Sequence, residues 1–519
     1  MPSPDPKAEL TQERTEFRAR MEDAGAAAVW EKFPGRIAVA LSGGGARGAY
    51  EAGALLAFQD ARLPTHILTA TSVGSINAAG YAAHSDTLVG NAEPVVEAWL
   101  GVTPTAVGIE WTRYAWVLGG LIAASAGFGN LLGDVLTRHG YTLNLPRPEL
   151  TWFSLGLAGI VVMLFYDRMS YIGYLLRSSF SRRSWKIDGK KTALSLLANL
   201  VVWGFLVGAL RSVHFVSRFL ALLEFYPVKA AVLAGAVALV IATQRWWRLA
   251  LSNLLHYVLR LPLRPGLFPN FERGSFLRQR LSQEQLRASP MRVLFTATDL
   301  ESGTPRFFSN TPPALLAADP GADAPFVAEF VTLADDLIGA IVASSALPLA
   351  FEPMRIGDRL YSDGGLCTNQ PLRPAMRLGA DVVFLVMMDA LSSRRTRLDT
   401  FVDVGLCALD ILMRQNLLSD LRISANLNAA CERAAEELGL RPEEVEISLG
   451  RRRYRYVKAI SICPPETLPG AALDFSPVMT QSAILQGYRD ACGQLAGFLA
   501  YAREAKFRHP RRVLEWGLR

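Results

Sequence analysis

Four glycines within six residues, Gly43, Gly44, Gly45 and Gly48 in ALSGGGARGAYEAGAL (40–55), directly follow the apolar run Ile37 to Leu41. A glycine loop lets bare backbone N–H groups approach an anion, because no side chain stands in the way. A helix opening near Ala46 would add the positive end of its dipole. Gly43, Gly45 and Gly48 satisfy G-x-G-x-x-G, the spacing of a dinucleotide loop. Such a site also wants an acidic residue at the end of the next strand, and this chain has Thr71-Ser72-Val73-Gly74 there. The G-K-[ST] ending of a P-loop is missing as well.

That second strand end carries TATSVGSINAAG (69–80), a serine in a turn of small residues that opens a helix. The layout is that of a nucleophile elbow, with Ala70 at the position of the first glycine in G-x-S-x-G and Gly74 at the second. Ser72 is the candidate nucleophile, although a serine after a strand is also an ordinary helix N-cap. Attack by a serine on an ester creates an oxyanion, which the amides of Gly43, Gly44 and Gly45 would cradle. The six histidines, at 66, 84, 139, 214, 256 and 509, all lie outside turn-rich motifs where a triad partner would sit. A carboxylate is the remaining base. YSDGGLCTNQPL (361–372) offers Asp363 at the end of a hairpin strand, followed by Gly364 and Gly365. Asp-Gly is also a common turn sequence. Desolvation can raise an aspartate from a pKa near 4 toward a useful base.

The elements that would position these residues alternate as in a parallel α/β sheet. The pattern predicts strands at 37–41, 66–71, 291–298 and 381–388, helices at 46–60, 73–83 and 333–345, and a hairpin of 354–356 with 359–362. Residues 7–32 read as a charged peripheral helix. The stretch from about 400 to 519 reads as helical, with an amphipathic segment at 425–438 and the basic run 451–455 as a solvated strand face. Between the two α/β blocks lie four apolar stretches, 114–133, 150–166, 192–210 and 228–243, near the roughly 17 to 25 residues of a membrane span. A buried helical subdomain is the competing reading. The connection 167–191 carries seven Lys or Arg, and Arg245, Arg248, Arg260 and Arg264 follow the fourth stretch. The positive-inside rule then puts both α/β blocks in the cytoplasm, on an inner membrane.

Composition agrees with a globular part joined to a membrane part: of 519 residues 50% are hydrophobic and 19% charged, and mean hydropathy is +0.20. The net charge of +7 suits an anionic partner, and basic residues beside apolar segments favour a bilayer over nucleic acid. Five scattered cysteines without C-x-x-C indicate neither a disulfide framework nor a zinc site. No metal or cofactor is expected. The polar N-terminus lacks an apolar h-region, so no secretory signal is expected.

Taken together, GGGARG (43–48), ATSVG (70–74) and Asp363-Gly364-Gly365 resemble the patatin-like phospholipase family, with further agreement in TATDLESG (296–303), ASSALPLAFEP (343–353) and LDFSPVMTQSAILQGYRDA (473–491). The resemblance covers about 36–111 and 266–495. It implies a three-layer α/β/α sheet, a Ser72–Asp363 dyad, an oxyanion loop at Gly43, Gly44 and Gly45, and supporting roles for Arg47, Gly48, Gly74, Gly364 and Gly365. The implied function is a lipid acyl hydrolase acting on a phospholipid or lysophospholipid through an acyl-enzyme, with no metal. An acyltransferase using the same acyl-enzyme and a catalytically silent membrane scaffold are the alternatives. The expected organisation is an N-terminal segment 1–35, a catalytic domain in two parts, 36–111 and 266–495, split by a hydrophobic helical insertion 112–265, and a basic tail 496–519.

Overall fold

A computed structural model describes residues 6–103, 270–388 except 349, 401–466 except 450 and 451, 475–505 and 511–515, with isolated positions at 122, 158, 159 and 468. The chain divides into two compact units, 1–108 with 270–519, and 109–269. Apart from those isolated positions, the four apolar stretches and the insertion that contains them lie outside the described residues. Among the described residues no helix is long and apolar enough to cross a membrane.

The first unit is built on a nine-stranded sheet. Its strands are β1 (Ile37–Leu41), β2 (Ile67–Thr71), β3 (Arg292–Asp299), β4 (Thr304–Ser309), β5 (Val331–Leu333), β6 (Met354–Ile356), β7 (Arg359–Asp363) and β8 (Val382–Val386). Beyond a small separate pair, β9 (Val445–Leu449) and β10 (Arg452–Arg455), β11 (Lys458–Ile462) completes it. The order runs β11-β8-β1-β2-β3-β4-β5, and the first five of these are parallel. IAVAL and VVFLV, the sequences of β1 and β8, are buried at every position, as strands covered on both faces must be. Alternation along β1 divides the core: Ile37, Val39 and Leu41 face one apolar cluster, Ala38 and Ala40 the other. The first cluster is closed by helices Ala49–Asp60, Val73–Ala83, Leu337–Ser344 and Pro477–Glu504, the second by Ala324–Phe330 and Leu372–Arg377, giving three layers.

One feature of register places the site. β2 runs parallel to β3 and its last pair is Thr71 with Thr296. β7 runs antiparallel to β3 and its last residue, Asp363, pairs with Ala297. β4 occupies the other edge of β3 across 294–299, so β2 and β7 share a single edge and abut end to end. The residue after Thr71 is Ser72. Meanwhile β1 lies between β2 and β8, where the strand order reverses, and the glycine loop leaves its carboxyl end at this crevice.

Several expectations need correction. Residues 6–32 form two helices, Pro6–Asp23 and Ala26–Lys32, and are not peripheral: Phe17, Met21 and Trp30 are buried in the first cluster, Trp30 stacked on Phe498. Arg14 and Arg18 add to this docking by pairing with the buried carboxylate of Asp60. The C-terminal stretch is not all helical. It contributes β11 to the main sheet and β9, β10 and β12 (Arg512–Glu515) to a three-stranded sheet, while helix Pro477–Glu504 runs through the expected boundary at 495. The helix after the glycine loop starts at Ala49, behind a 3₁₀ turn at Gly45–Gly48. The helix expected from 333 starts at Leu337, because Leu333 ends β5 and Asp336 caps the helix by accepting from Gly339 N at 2.9 Å.

The helix behind the glycine loop is fixed by a backbone-to-backbone crossing. A Cβ at Gly53 would strike the Ile484 carbonyl, and one at Gly487 would strike the Tyr50 carbonyl, so helices Ala49–Asp60 and Pro477–Glu504 meet without side chains between them. Gly487→Ala should therefore lower stability by about 1–3 kcal/mol through overpacking. Urea unfolding checks this, and a midpoint equal to that of the wild type would show that the crossing yields easily.

Candidate active site

Ser72 sits at the end of β2 with φ 54° and ψ −127°. Arg62 is the other non-glycine residue with positive φ among the described residues. Such a conformation costs about 1–3 kcal/mol and persists only where neighbours hold it. Here the holders can be named. The Ser72 amide donates to Ser344 Oγ at 3.0 Å, and Ser344 Oγ lies 2.8 Å from Ser75 Oγ. The carbonyl of the same Ser344 accepts from Gly364 N at 3.2 Å. Ser344 thus touches both the elbow and the turn that follows Asp363.

The two sequence-predicted side chains come together: Ser72 Oγ donates to Asp363 Oδ2 at 2.6 Å. Asp363 is 1% exposed and held from four directions. Its Oδ1 accepts from Gly365 N at 2.8 Å, its own amide donates to Ala346 O at 2.9 Å, and its carbonyl accepts from Thr298 Oγ1 at 2.9 Å. Gly364 passes directly against the Thr296 carbonyl, where a Cβ would not fit. Burial is the largest influence on the Asp363 carboxyl and pushes it from its ordinary 3.8 up to about 6, against the bonds from Ser72 and Gly365 and the charge of Arg273. Arg273 is itself buried. It donates to Ser345 O at 2.9 Å and Val342 O at 3.2 Å, at the carboxyl end of helix Leu337–Ser344, and lies 4.0 Å over the Phe351 ring.

The glycine loop lies alongside. Gly43 N donates to Asn369 O at 3.1 Å, so this amide, expected among the oxyanion donors, is occupied. Asn369 Nδ2 also reaches back to Gly43 O at 3.5 Å. The amides of Gly44 and Gly45 donate to no acceptor among the described residues, and Gly45 takes φ +65°, a conformation that favours glycine. Arg47 and Gly48 lie in the 3₁₀ turn, Gly48 packed against Val73 and Trp99, and Gly74 packs on the backbone of Leu41 and Ser42. Two unoccupied amides, the N-terminus of helix Val73–Ala83 and a serine bonded to a carboxylate therefore converge at the crevice. This arrangement can transfer a hydroxyl proton to a base and stabilise an oxyanion.

Ser344, Asn369 and Arg273 were not singled out by residue type. Ser344 and Asn369 lie inside the quoted segments ASSALP and CTNQPL, so a signal was present without a role. Arg273 carries no local signal, because its position depends on a helix 60 and more residues later. Among the described residues no cluster of His, Cys, Asp or Glu could hold a metal ion.

A family model described as patatin-like phospholipase matches residues 39–202 and 207–376, which include the glycine loop, Ser72 and Asp363. No curated protein matches. Among solved structures, the crystal structure of VipD from Legionella pneumophila is similar with a TM-score of 0.32 and 13% identity, covering 89% of this chain and 67% of that one.

A carboxyl that holds its proton more tightly folded than unfolded makes the fold less stable as pH rises from about 4 through about 6. Asp363→Asn removes that charge. The variant should exceed the wild type at pH 8 by about 1–3 kcal/mol, the gap closing by pH 4. Thermal unfolding at the two pH values tests this; a gap that widens toward pH 4 would contradict it.

Proposed function

The chain belongs to the patatin-like phospholipase family, and from that premise we propose that it is a serine lipid acyl hydrolase whose nucleophile is Ser72 and whose base is Asp363. The reading rests on one observation, the 2.6 Å bond from Ser72 Oγ to Asp363 Oδ2 at a strained strand-to-helix turn. Ser72 Oγ attacks the ester carbonyl carbon while its proton passes to Asp363 Oδ2. The resulting oxyanion takes hydrogen bonds from the Gly44 and Gly45 amides. Collapse breaks the bond to the leaving alkoxide, which receives the proton from Asp363. The acyl-serine is then attacked by water, whose proton goes to Asp363 and on to Ser72 as the fatty acid leaves. No histidine is required, because a carboxyl raised to about 6 is a stronger base than an exposed aspartate.

The family match supports a lipid substrate, and we take a phospholipid or lysophospholipid as its class. We also infer that the segment 112–265 attaches the enzyme to a bilayer, with residues 36–111 and 266–495 as the two parts of the catalytic domain on its cytoplasmic side. The four apolar stretches and the basic connections between them support this. Attachment would deliver acyl chains without passage through water. Carbonate extraction should leave the full chain in the membrane pellet, and its release would remove this part of the reading.

For catalysis, log kcat/KM on a lysophospholipid should fall with unit slope below about pH 6, since the base works only when ionised. Ser72→Ala and Asp363→Asn should each reduce turnover by about a thousandfold or more. Fatty-acid release measured across pH 4.5 to 8 on the order of minutes decides the matter. Undiminished release by Ser72→Ala would remove the proposed nucleophile.

A further inference from the structure

Directly behind the glycine loop lies a polar cluster that the dyad does not use. Glu51, on helix Ala49–Asp60, is completely buried, as is Asn77 on the helix that follows Ser72. Asn77 Nδ2 donates to Glu51 Oε2 at 2.9 Å and to Gly48 O at 2.9 Å, while Asn77 Oδ1 accepts from Trp99 Nε1 at 2.8 Å. These partners fix the amide orientation, since a flipped Asn77 would set its NH2 against the indole N–H. At this cluster two buried atoms, Glu51 Oε1 and Ser42 Oγ, have no hydrogen-bond partner among the described residues. Ser42 lies close enough to the Glu51 carboxyl for both its backbone and its hydroxyl to act on it. A proton on Oε1 would satisfy both unpartnered atoms. Burial drives the Glu51 carboxyl strongly toward the protonated form, and only neutral groups, Asn77 and Ser42, oppose it.

We propose that Glu51 is a positioning residue for the oxyanion loop, its carboxylic acid donating to Ser42 and accepting from Asn77, so that it holds the residue before the loop directly and the residue that ends it, Gly48, through Asn77. Ser42 precedes Gly43, and Gly48 closes the 3₁₀ turn. Asn77 belongs to the nucleophile's own helix, five residues beyond Ser72. The cluster therefore sets the Gly44 and Gly45 amides relative to Ser72 Oγ. The inference rests on the hydrolase reading above, and its chemistry differs from that of Asp363: the carboxyl touches no substrate and transfers no proton during turnover. A loop displaced by its loss would still admit substrate while presenting its amides poorly to the oxyanion, so the effect belongs in kcat.

The test compares full-length wild type, Glu51→Ala, Glu51→Gln and Ser42→Ala on a lysophospholipid and on a soluble short-chain p-nitrophenyl ester, with Ser72→Ala as the blank. Glutamine keeps a donor for Ser42 and an acceptor for Asn77. Glu51→Ala should lose about ten- to a hundredfold in kcat with KM within about twofold, and Glu51→Gln should restore kcat to within about threefold of wild type. Ser42→Ala, a smaller perturbation should Glu51→Ala fail to fold, should lose about threefold to tenfold in kcat. Glu51→Ala retaining wild-type kcat, Glu51→Gln falling as far as alanine, or a change confined to KM would each overturn the inference while wild type remained active. Wild type no better than Ser72→Ala would instead sink the hydrolase reading, and this inference with it.

Discussion

The site depends on two strands sharing one edge of a third. β2 ends at Thr71, paired with Thr296, and β7 ends at Asp363, paired with Ala297. Adjacent positions on β3 therefore bring together Ser72 and Asp363, which lie 291 residues apart in sequence. Neither strand could slip by one residue without carrying its terminal side chain to the opposite face. The sheet's continuous apolar core enforces that register, since every residue of β1, β2 and β8 is buried. The meeting of Ser72 and Asp363 is a consequence of strand pairing.

What the pairing brings together is costly, and the cost is local. Ser72 holds a positive φ and Asp363 carries its carboxyl in near-complete burial. Both are secured by the short segment 344–346, whose Ser344 hydroxyl takes the Ser72 amide and whose Ser344 and Ala346 carbonyls take the Gly364 and Asp363 amides. Strain at the elbow and a carboxyl pushed up to about 6 thus have one shared support. A site arranged this way gives up stability for reactivity, in the manner expected of strained functional positions.

The sequence made the local parts of this readable. β1 and β8 announce themselves as short uninterrupted apolar runs and β2 as the mixed run ILTAT, and the loop and elbow as glycines and small residues that follow β1 and β2. Ser72 and Asp363 stand out because each sits at a strand end in a turn with glycine, Gly74 two residues after Ser72 and Gly364 directly after Asp363. What escaped was non-local. The occupied Gly43 amide depends on Asn369 arriving from another segment. The N-terminal helices look solvated by composition, and only the tertiary contacts of Phe17, Met21 and Trp30 bury them. β11, with the mixed sequence KAISI, has no alternation strong enough to mark it, and becomes a strand through pairing with β8.

The most direct measurement is mass-spectrometric mapping of the adduct formed by a fluorophosphonate probe on wild type and Asp363→Asn. Ser72 bonded to Asp363 predicts a single adduct on the peptide containing Ser72, lost when the carboxylate becomes an amide. An adduct on another serine, or equal labelling of Ser72 in the two proteins, would contradict the account.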